Sequence, residues 1–246
     1  AVIAAAGFGT RFLPQTKAMP KEMLPIIDKP IIQYIVEELV EAGIEDIVIV
    51  TGYHKRSIED HFDQMSADLK ANLKQGGKDE LLVQTQQISD LANFAYVRQK
   101  GKYGNATPIM NVAHLVGDEP FIYAYADDLY LAGVSRFKQT ISMYEEFGTS
   151  ILPCVRISED KEFERYGIVG GENIRDDVIK MNIIKEKPGR DNAPSDLANN
   201  AGYLFTPDIF EYLEKNVDKV EEGKEFQVQP VMQAMMDDGK AFHAFE

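Results

Sequence analysis

The chain contains 246 residues, 44% of them hydrophobic, and is therefore long enough to bury a substantial core within one large α/β domain. Its formal net charge of -14 at pH 7 disfavours binding to nucleic acid or anionic lipid, so an anionic ligand needs a local cationic patch. No apolar run reaches the ~18 residues of a membrane span and no signal peptide is visible, so we expect a cytoplasmic protein without a membrane partner.

The beginning of the chain predicts a strand, a long loop, a helix and a second strand. Residues 2–5 form a short apolar strand, Pro30 opens an amphipathic helix, and Gly43 ends that helix. Residues 47–50 are continuously apolar, which is typical of strands in parallel sheets. Together these elements predict a βαβ unit.

The loop after the first strand combines small residues with a cluster of cations. Gly7 and Gly9 allow a ligand to approach the backbone, and Arg11, Lys17 and Lys21 follow closely. The third glycine of a dinucleotide fingerprint and the Gly-Lys-Ser/Thr of a P-loop are both missing, which disfavours those two sites. Backbone N–H groups reinforced by arginine and lysine indicate a triphosphate site, whereas a tight turn with solvated bases is the alternative for the two glycines alone.

The rest of the first half alternates between helices and strands. The predicted helices lie at residues 55–62, 68–91 with a break at Gly76-Gly77, 107–115 and 135–147. The predicted strands lie at residues 94–98, 120–126 and 150–155. The alternation implies a doubly wound sheet, with the single cysteine, Cys154, buried in the last of these strands. Asp127 and Asp128 follow a strand directly, which places them at the carboxyl edge where open α/β folds bind ligands.

The pattern changes from about residue 157. Short strands separated by turns are predicted at residues 166–169, 178–180 and 183–185, and they should pair antiparallel as a lid or second wall. A polar loop over residues 188–196, a strand over 200–205 and helices over 207–216 and 226–238 close the chain.

The segment from Ala5 to Pro30 resembles the signature of the bacterial UTP-glucose-1-phosphate uridylyltransferases, also called UDP-glucose pyrophosphorylases. It reads AAGFGTRFLPQTKAMPKEMLPIIDKP, and the related thymidylyltransferases normally carry Lys-Gln-Leu-Leu-Pro where this chain has KEMLP, which favours uridine. The resemblance covers nearly the whole chain and continues through YVRQ at 96–99, DDL at 127–129, YG at 166–167, EKP at 186–188 and APS at 193–195.

The resemblance implies an α/β, Rossmann-like nucleotide-diphospho-sugar transferase fold. Its sheet would be mixed but mainly parallel and flanked by helices, with an antiparallel sugar-binding portion. We expect a single domain over residues 1–246, divided into a nucleotide-binding portion at 1–156 and a sugar-binding portion at 157–246. From the resemblance we expect the family's closing C-terminal helix to be absent from these residues and the full-length protein to be a homo-oligomer.

The implied reaction transfers uridylyl from UTP to glucose 1-phosphate, whose phosphate attacks the α-phosphorus in line while pyrophosphate leaves. Positioning and charge neutralisation would do the catalytic work, because no protein nucleophile is needed. The resemblance implies that Arg11 and Lys21 hold the triphosphate and that Lys187 bridges the sugar phosphate and the α-phosphate. It also implies that Asp127 ligates Mg²⁺, with Asp128 as a neighbour that could compete for this role. Without the resemblance, Lys187 would be interpreted as an exposed turn lysine and Asp127 as a helix cap.

The remaining implied contacts concern the nucleotide and the sugar. The nucleotide-binding residues would be Ala6, Gly7, Gly9, Thr10, Glu22, Gln99 and Gly104. The sugar-binding residues would be Gly167, Glu186, Asn200 and Ala201. A carboxylate at Glu22 would complement the N3–H of uracil, whereas cytosine presents a lone pair there, a mismatch of about 1–3 kcal/mol.

The chain departs from the family pattern at several positions. Asn105 stands where the family usually has histidine, and Ala201-Gly202-Tyr203 replaces a Gly-Arg-Tyr near the sugar. Pro230 stands where the family tends to have an acid that helps to hold Mg²⁺, so the metal would depend on Asp127, the phosphates or a nearby acid. Two alternatives therefore stay open. One is a nucleotidyltransferase for dTTP or another sugar 1-phosphate, and the other is a catalytically weak regulatory homologue that binds UDP-sugar.

Overall fold

The computed structural model describes residues 1–130, 133–199 and 202–246. The strands are β1 (Val2–Ala5), β2 (Pro25–Ile26), β3 (Lys29–Pro30), β4 (Asp46–Thr51), β5 (Asn93–Arg98), β6 (Phe121–Tyr125), β7 (Ser150–Arg156), β8 (Gly167–Arg175), β9 (Val178–Glu186), β10 (Leu197–Asn199), β11 (Tyr203–Phe205) and β12 (Phe242–Phe245). The helices are α1 (Ile31–Glu41), α2 (Arg56–Phe62), α3 (Ala67–Gln75), α4 (Asp79–Ser89), α5 (Thr107–Val116), α6 (Arg136–Phe147), α7 (Asp160–Phe163), α8 (Ile209–Val217) and α9 (Val228–Asp237). Short 3-10 turns cover Thr10–Phe12, Gln15–Lys17, Lys21–Met23 and Arg190–Asn192.

Most strands belong to one sheet, in the order β10-β8-β9-β12-β7-β11-β6-β1-β4-β5. The first half of the chain supplies the parallel part, because β1 pairs in parallel with both β4 and β6, and β4 pairs in parallel with β5. The predicted βαβ unit is therefore confirmed. Ile47, Ile49 and Val50 are fully buried, as continuously apolar strands of a parallel sheet require.

The second half of the chain extends the same sheet with antiparallel strands. β8 and β9 form a long hairpin, β10 pairs with β8 and β7, and β11 is inserted between β6 and β7. In the described part of the chain, the sheet has six antiparallel and four parallel pairings, so its parallel character belongs mainly to the first half. The sheet is mixed, as predicted, but the antiparallel portion is continuous with it and is not a separate wall.

Three details differ from the sequence-based expectations. Residues 178–180 and 183–185 belong to the single strand β9, because Met181 between them is buried and keeps the strand on the core. The register of β8 against β9 shifts between Gly170 and Gly171. This irregularity accommodates the break in the alternation of apolar residues along β9. The short strands β10 and β12 were not predicted, and the predicted strand at 200–205 corresponds to β11 where the residues are described.

Two apolar clusters cover the opposite faces of the sheet. One contains Ile109 of α5, Leu213 of α8 and Met232 of α9, whereas the other contains Ile35 of α1 and Phe137 of α6. The doubly wound arrangement is therefore confirmed.

Cys154 lies in the first cluster and is buried in β7, as predicted. Burial raises the pKa of its thiol well above the usual value, which leaves it as a packing residue. Among the described residues, no helix is long and apolar enough to cross a membrane.

Candidate active site

Loops that follow the parallel strands meet at one edge of the sheet. Because β1, β4, β5 and β6 all run in the same direction, their carboxyl ends lie side by side. Gly52 after β4 lies against the loop after β1, since a Cβ atom at Gly52 would stand 3.1 Å from the carbonyl oxygen of Ala6. This close approach explains the glycine at position 52.

Two adjoining cavities open at this edge. The larger has a volume of about 530 Å³ and the smaller a volume of about 270 Å³. The residues that line both of them are Arg11, Lys21, Asn105, Tyr125, Asp127 and Lys187. All three predicted catalytic cations and the predicted metal ligand therefore lie where the cavities meet.

The smaller cavity, here called the nucleotide cavity, is lined by most of the predicted nucleotide-binding residues. These are Ala6, Gly7, Glu22, Gln99 and Gly104. Gly9 and Thr10 do not line either cavity. Gly9 instead has a left-handed backbone (φ 67°), and a Cβ atom there would lie 3.2 Å from Cβ of Lys21. Gly9 thus provides the turn and the space that bring Lys21 into the site.

The larger cavity, here called the sugar cavity, is lined by Gly167 and Glu186 among the predicted sugar-binding residues. Asn200 and Ala201 lie outside the described residues. Their neighbour Asn199 does line the cavity, and its Nδ2 donates hydrogen bonds to the carbonyl oxygens of Pro153 (3.0 Å) and Gly202 (3.1 Å). Burial raises the pKa of Glu186, while the adjacent Lys187 opposes that rise.

Lys187 is held in an unusual backbone conformation at the cavity junction. Its φ of 48° lies in the left-handed region, which costs a residue other than glycine about 1–3 kcal/mol. Its N–H donates to the carbonyl oxygen of Tyr166 (3.1 Å), and its Nζ lies 3.3 Å from Oε1 of Glu186. Lys187 is half exposed and sits in a turn, but this turn faces both cavities.

Lys21 and Asp127 form an ion pair across the junction, with Nζ and Oδ2 2.8 Å apart. Asp127 follows β6 and does not cap a helix, because α6 is capped by Ser135. The neighbouring Asp128 has its pKa raised to about 7, first by burial and then by the charge of Asp127. A second cation beside this carboxylate pair would be electrostatically favourable.

The donor set at Asp127 and Asp128 fits a hard divalent cation, because both residues offer carboxylate oxygens that line the sugar cavity. Within the described ranges, no group of three or more histidine, cysteine, aspartate or glutamate residues could hold a metal ion by itself. Pro230 is exposed on α9 and lines neither cavity. The proline at that position therefore leaves the carboxylates of Asp127 and Asp128 in place.

The loop after β5 is fastened to the start of α9 through Asn105. Its Oδ1 accepts a hydrogen bond from the backbone N–H of Val228 (2.8 Å), and its Nδ2 donates to the hydroxyl of Tyr125 (3.1 Å). Asn105 thus connects a loop, a helix and a strand around the cavity junction. These contacts need an amide that both donates and accepts, which asparagine supplies without titrating.

Sequence reasoning missed a buried ion pair beneath the nucleotide cavity. Nζ of Lys55 lies 2.6 Å from Oε2 of Glu22, and the two side chains are 5% and 0% exposed. Burial raises the pKa of Glu22, while Lys55 acts in the opposite direction. Lys55 precedes a short polar helix and resembles a solvated cap in the sequence, so no signal pointed to this partner. Sequence reasoning also missed Gln229, which lines the sugar cavity together with Tyr203.

Comparisons with known proteins agree with this geometry. Over residues 1–246 the chain matches the family described as Nucleotidyl transferase. The UTP-glucose-1-phosphate uridylyltransferase 1 of Staphylococcus saprophyticus is 50% identical over 215 residues, which cover 87% of this chain and 74% of that protein. The corresponding uridylyltransferase of Pseudomonas aeruginosa is 44% identical over 237 residues, covering 96% and 84% of the two chains. A solved UDP-glucose pyrophosphorylase complexed with UDP-glucose is 39% identical, with a TM-score of 0.86 over 100% of this chain and 89% of that chain.

Proposed function

The chain belongs to the nucleotidyl transferase family, and we infer that it transfers uridylyl from UTP to glucose 1-phosphate, giving UDP-glucose and pyrophosphate. The observation that carries this inference is the pair of adjoining cavities with Arg11, Lys21 and Lys187 at their junction. Two phosphorylated substrates that react with each other must bring their phosphates together at one point. The junction supplies positive charge at that point in a chain whose net charge is -14.

The arrangement supports a reaction that depends on positioning and charge neutralisation. UTP would place its base in the nucleotide cavity and its triphosphate on Arg11 and Lys21, while the glucose would occupy the sugar cavity near Glu186. Lys187 lines both cavities and would contact the attacking phosphate and the α-phosphate together. Cations fixed in advance around the transferred phosphorus stabilise the charge that redistributes during in-line displacement. The division into a nucleotide portion at 1–156 and a sugar portion at 157–246 follows from this proposal.

The family generally uses a divalent metal ion, and here the metal is proposed to be Mg²⁺ held by Asp127, with Asp128 beside it. When bound, Mg²⁺ would neutralise phosphate charge with hard oxygen ligands. Asp127 pairs with Lys21 at 2.8 Å, so this carboxylate is held at the edge where the phosphates are proposed to bind. The metal assignment rests on the carboxylate chemistry and on the position of both acids at the end of β6.

The test is pyrophosphate release from the protein given UTP, glucose 1-phosphate and Mg²⁺. Lys187→Ala is expected to lower kcat/KM by about 10²–10³-fold, as removal of one group that stabilises developing charge does. Lys180→Ala is the matched control, because Lys180 is an exposed lysine of β9, the strand that Lys187 follows, and lines neither cavity. It is expected to leave kcat/KM unchanged.

Substrate choice is tested with dTTP in place of UTP, and with galactose and N-acetylglucosamine 1-phosphates in place of glucose 1-phosphate. Preference for UTP and glucose 1-phosphate would support the proposal. Binding of UDP-glucose without any pyrophosphate release would overturn it in favour of a regulatory binding protein.

A further inference from the structure

The nucleotide cavity is lined by the carboxylate of Glu22, and among the described residues only one of its two oxygens has a hydrogen-bond partner. Glu22 is completely buried, and its Oε2 is held by Nζ of Lys55 at 2.6 Å. Its other oxygen, Oε1, is buried and has no hydrogen-bond partner in the part of the chain that the structure describes, although Glu22 lines the nucleotide cavity. A buried acceptor without a partner is costly, so the arrangement is suited to a ligand that brings a donor.

The backbone around Lys55 explains how a lysine comes to lie beneath this cavity. Lys55 directly precedes α2, and its carbonyl oxygen accepts a hydrogen bond from the N–H of Ile58. The preceding His54 has a left-handed backbone (φ 62°), which is uncommon for a residue other than glycine. This turn directs the chain after β4 inward and leaves Lys55 only 4% exposed.

We propose that Lys55 is the positioning residue that keeps Glu22 ionised and oriented to accept a hydrogen bond from the N3–H of a pyrimidine base. The proposal rests on the proposed function, in which this cavity takes the base of UTP. An ionised Glu22 only accepts hydrogen bonds, so it matches uracil and thymine, which carry a donor at N3. It opposes cytosine, whose N3 presents a lone pair. Lys55 would therefore determine selectivity between UTP and CTP without touching either nucleotide.

The charges that act on Glu22 come from two places. Lys55 faces the carboxylate from the start of α2, and Lys21 is its own neighbour in the turn Lys21–Met23. Within the described residues, these lysines are the leading charges that act on Glu22, and both α1 and α2 pack against the turn. Burial favours the neutral form and both lysines favour the ionised form. Removal of Lys55 leaves Lys21 as the remaining charge opposing protonation.

The experiment compares kcat/KM for UTP, CTP and dTTP in the wild-type chain and in Lys55→Met. The ratio of UTP to CTP is expected to fall by about tenfold or more in the variant, because a protonated Glu22 can donate to N3 of cytosine. The ratio of UTP to dTTP is expected to stay constant, because both bases carry N3–H. Each ratio is measured on one protein sample, so it does not depend on how much of the variant folds.

A pH series separates this role from a purely structural one. Between about pH 8.5 and about pH 6, the ratio of UTP to CTP in Lys55→Met is expected to fall as pH is lowered, and more steeply than in the wild type. In a Glu22→Gln background, Lys55→Met should change the ratio by less than about twofold, because the titrating group is gone. Lys74→Met, the same change at an exposed lysine of α3 that lines neither cavity, should leave it unchanged.

An unchanged ratio of UTP to CTP in Lys55→Met at every pH would overturn the assignment of Lys55. The absence of pyrophosphate release from the wild type would instead contradict the proposed function. In that case, equilibrium binding of UTP and CTP to the same variants decides the role of Lys55, with the same expected ratios.

Discussion

Gly104 offers a sharp test of how the nucleotide cavity is built. A Cβ atom at this position would stand 2.1 Å from the carbonyl oxygen of Phe226, a distance that real Cβ atoms do not reach. Two backbone hydrogen bonds join the loop after β5 to the segment that precedes α9. The N–H of Phe226 donates to the carbonyl oxygen of Tyr103 (2.7 Å), and the N–H of Ala106 donates to the carbonyl oxygen of Phe226 (3.0 Å). Gly104→Ala must therefore separate the loop after β5 from the segment that precedes α9.

Gly101→Ala supplies the matched control three residues earlier. Gly101 also has a positive φ (106°), compared with 141° at Gly104, but a Cβ atom there would meet nothing closer than Cγ2 of Thr107 at 3.8 Å. Both substitutions carry a backbone cost of about 1–2 kcal/mol. Gly104→Ala additionally loses two backbone hydrogen bonds of about 0.5–1.5 kcal/mol each, or about 1–3 kcal/mol in total.

Thermal unfolding and the KM for UTP measure the difference. For a chain of this length each kcal/mol lowers Tm by about 2–4 °C, so Gly104→Ala should unfold roughly 2–12 °C below Gly101→Ala. Its KM for UTP should also rise more, because Gly104 lines the nucleotide cavity. Equal Tm and equal KM in the two variants would refute the close approach of the two segments.

Three further predictions concern the metal, a departure from the family pattern and pH. Asp127→Asn is expected to lower pyrophosphate release by about 10²-fold or more and to raise the Mg²⁺ concentration required, whereas an unchanged Mg²⁺ titration would remove Asp127 from the metal site. Pro230→Asp should leave that titration unchanged, because residue 230 is exposed and outside both cavities; a lower Mg²⁺ requirement would show that it reaches the site. Burial and the charge of Lys180 lower the pKa of His243 in the folded chain. The unfolded chain therefore binds the proton more readily, and the free energy of unfolding should fall as pH drops below about 6.5. His243→Gln should flatten this dependence in unfolding curves recorded between about pH 8 and about pH 5.5, and an identical slope would contradict the assignment.

The parts of the fold that the sequence predicted best are those with a strong local pattern. The apolar run at 47–50 and the acids after residue 126 each define a position in a parallel sheet without reference to distant residues. β12 was missed because it is short and follows directly on α9, so its only strong signal is its pairing with β7 and β9. Pairing between strands far apart in sequence is a tertiary property that local periodicity does not contain.

The candidate site also divides into residues that a local sequence motif predicted and residues whose contacts depend on distant parts of the chain. The family signature predicted residues around both cavities, because these residues lie in contiguous motifs. Lys55 was missed because its role depends on a buried carboxylate 33 positions earlier in the chain. A lysine before a polar helix is most often solvated, and only the packing of α2 against the turn Lys21–Met23 reveals otherwise.

Under the proposed function, the ion pair between Lys21 and Asp127 would make the affinities for nucleotide and metal interdependent. A cation arriving alone must compete with Lys21 for Asp127, and a triphosphate arriving alone must compete with Asp127 for Lys21. When both arrive together, each member of the pair exchanges one opposite charge for another, so neither is left uncompensated. Such coupling is reciprocal: the metal tightens nucleotide binding by the same factor by which the nucleotide tightens metal binding. Under the proposed function, the metal–nucleotide complex is therefore the species that the protein captures, in preference to either component alone.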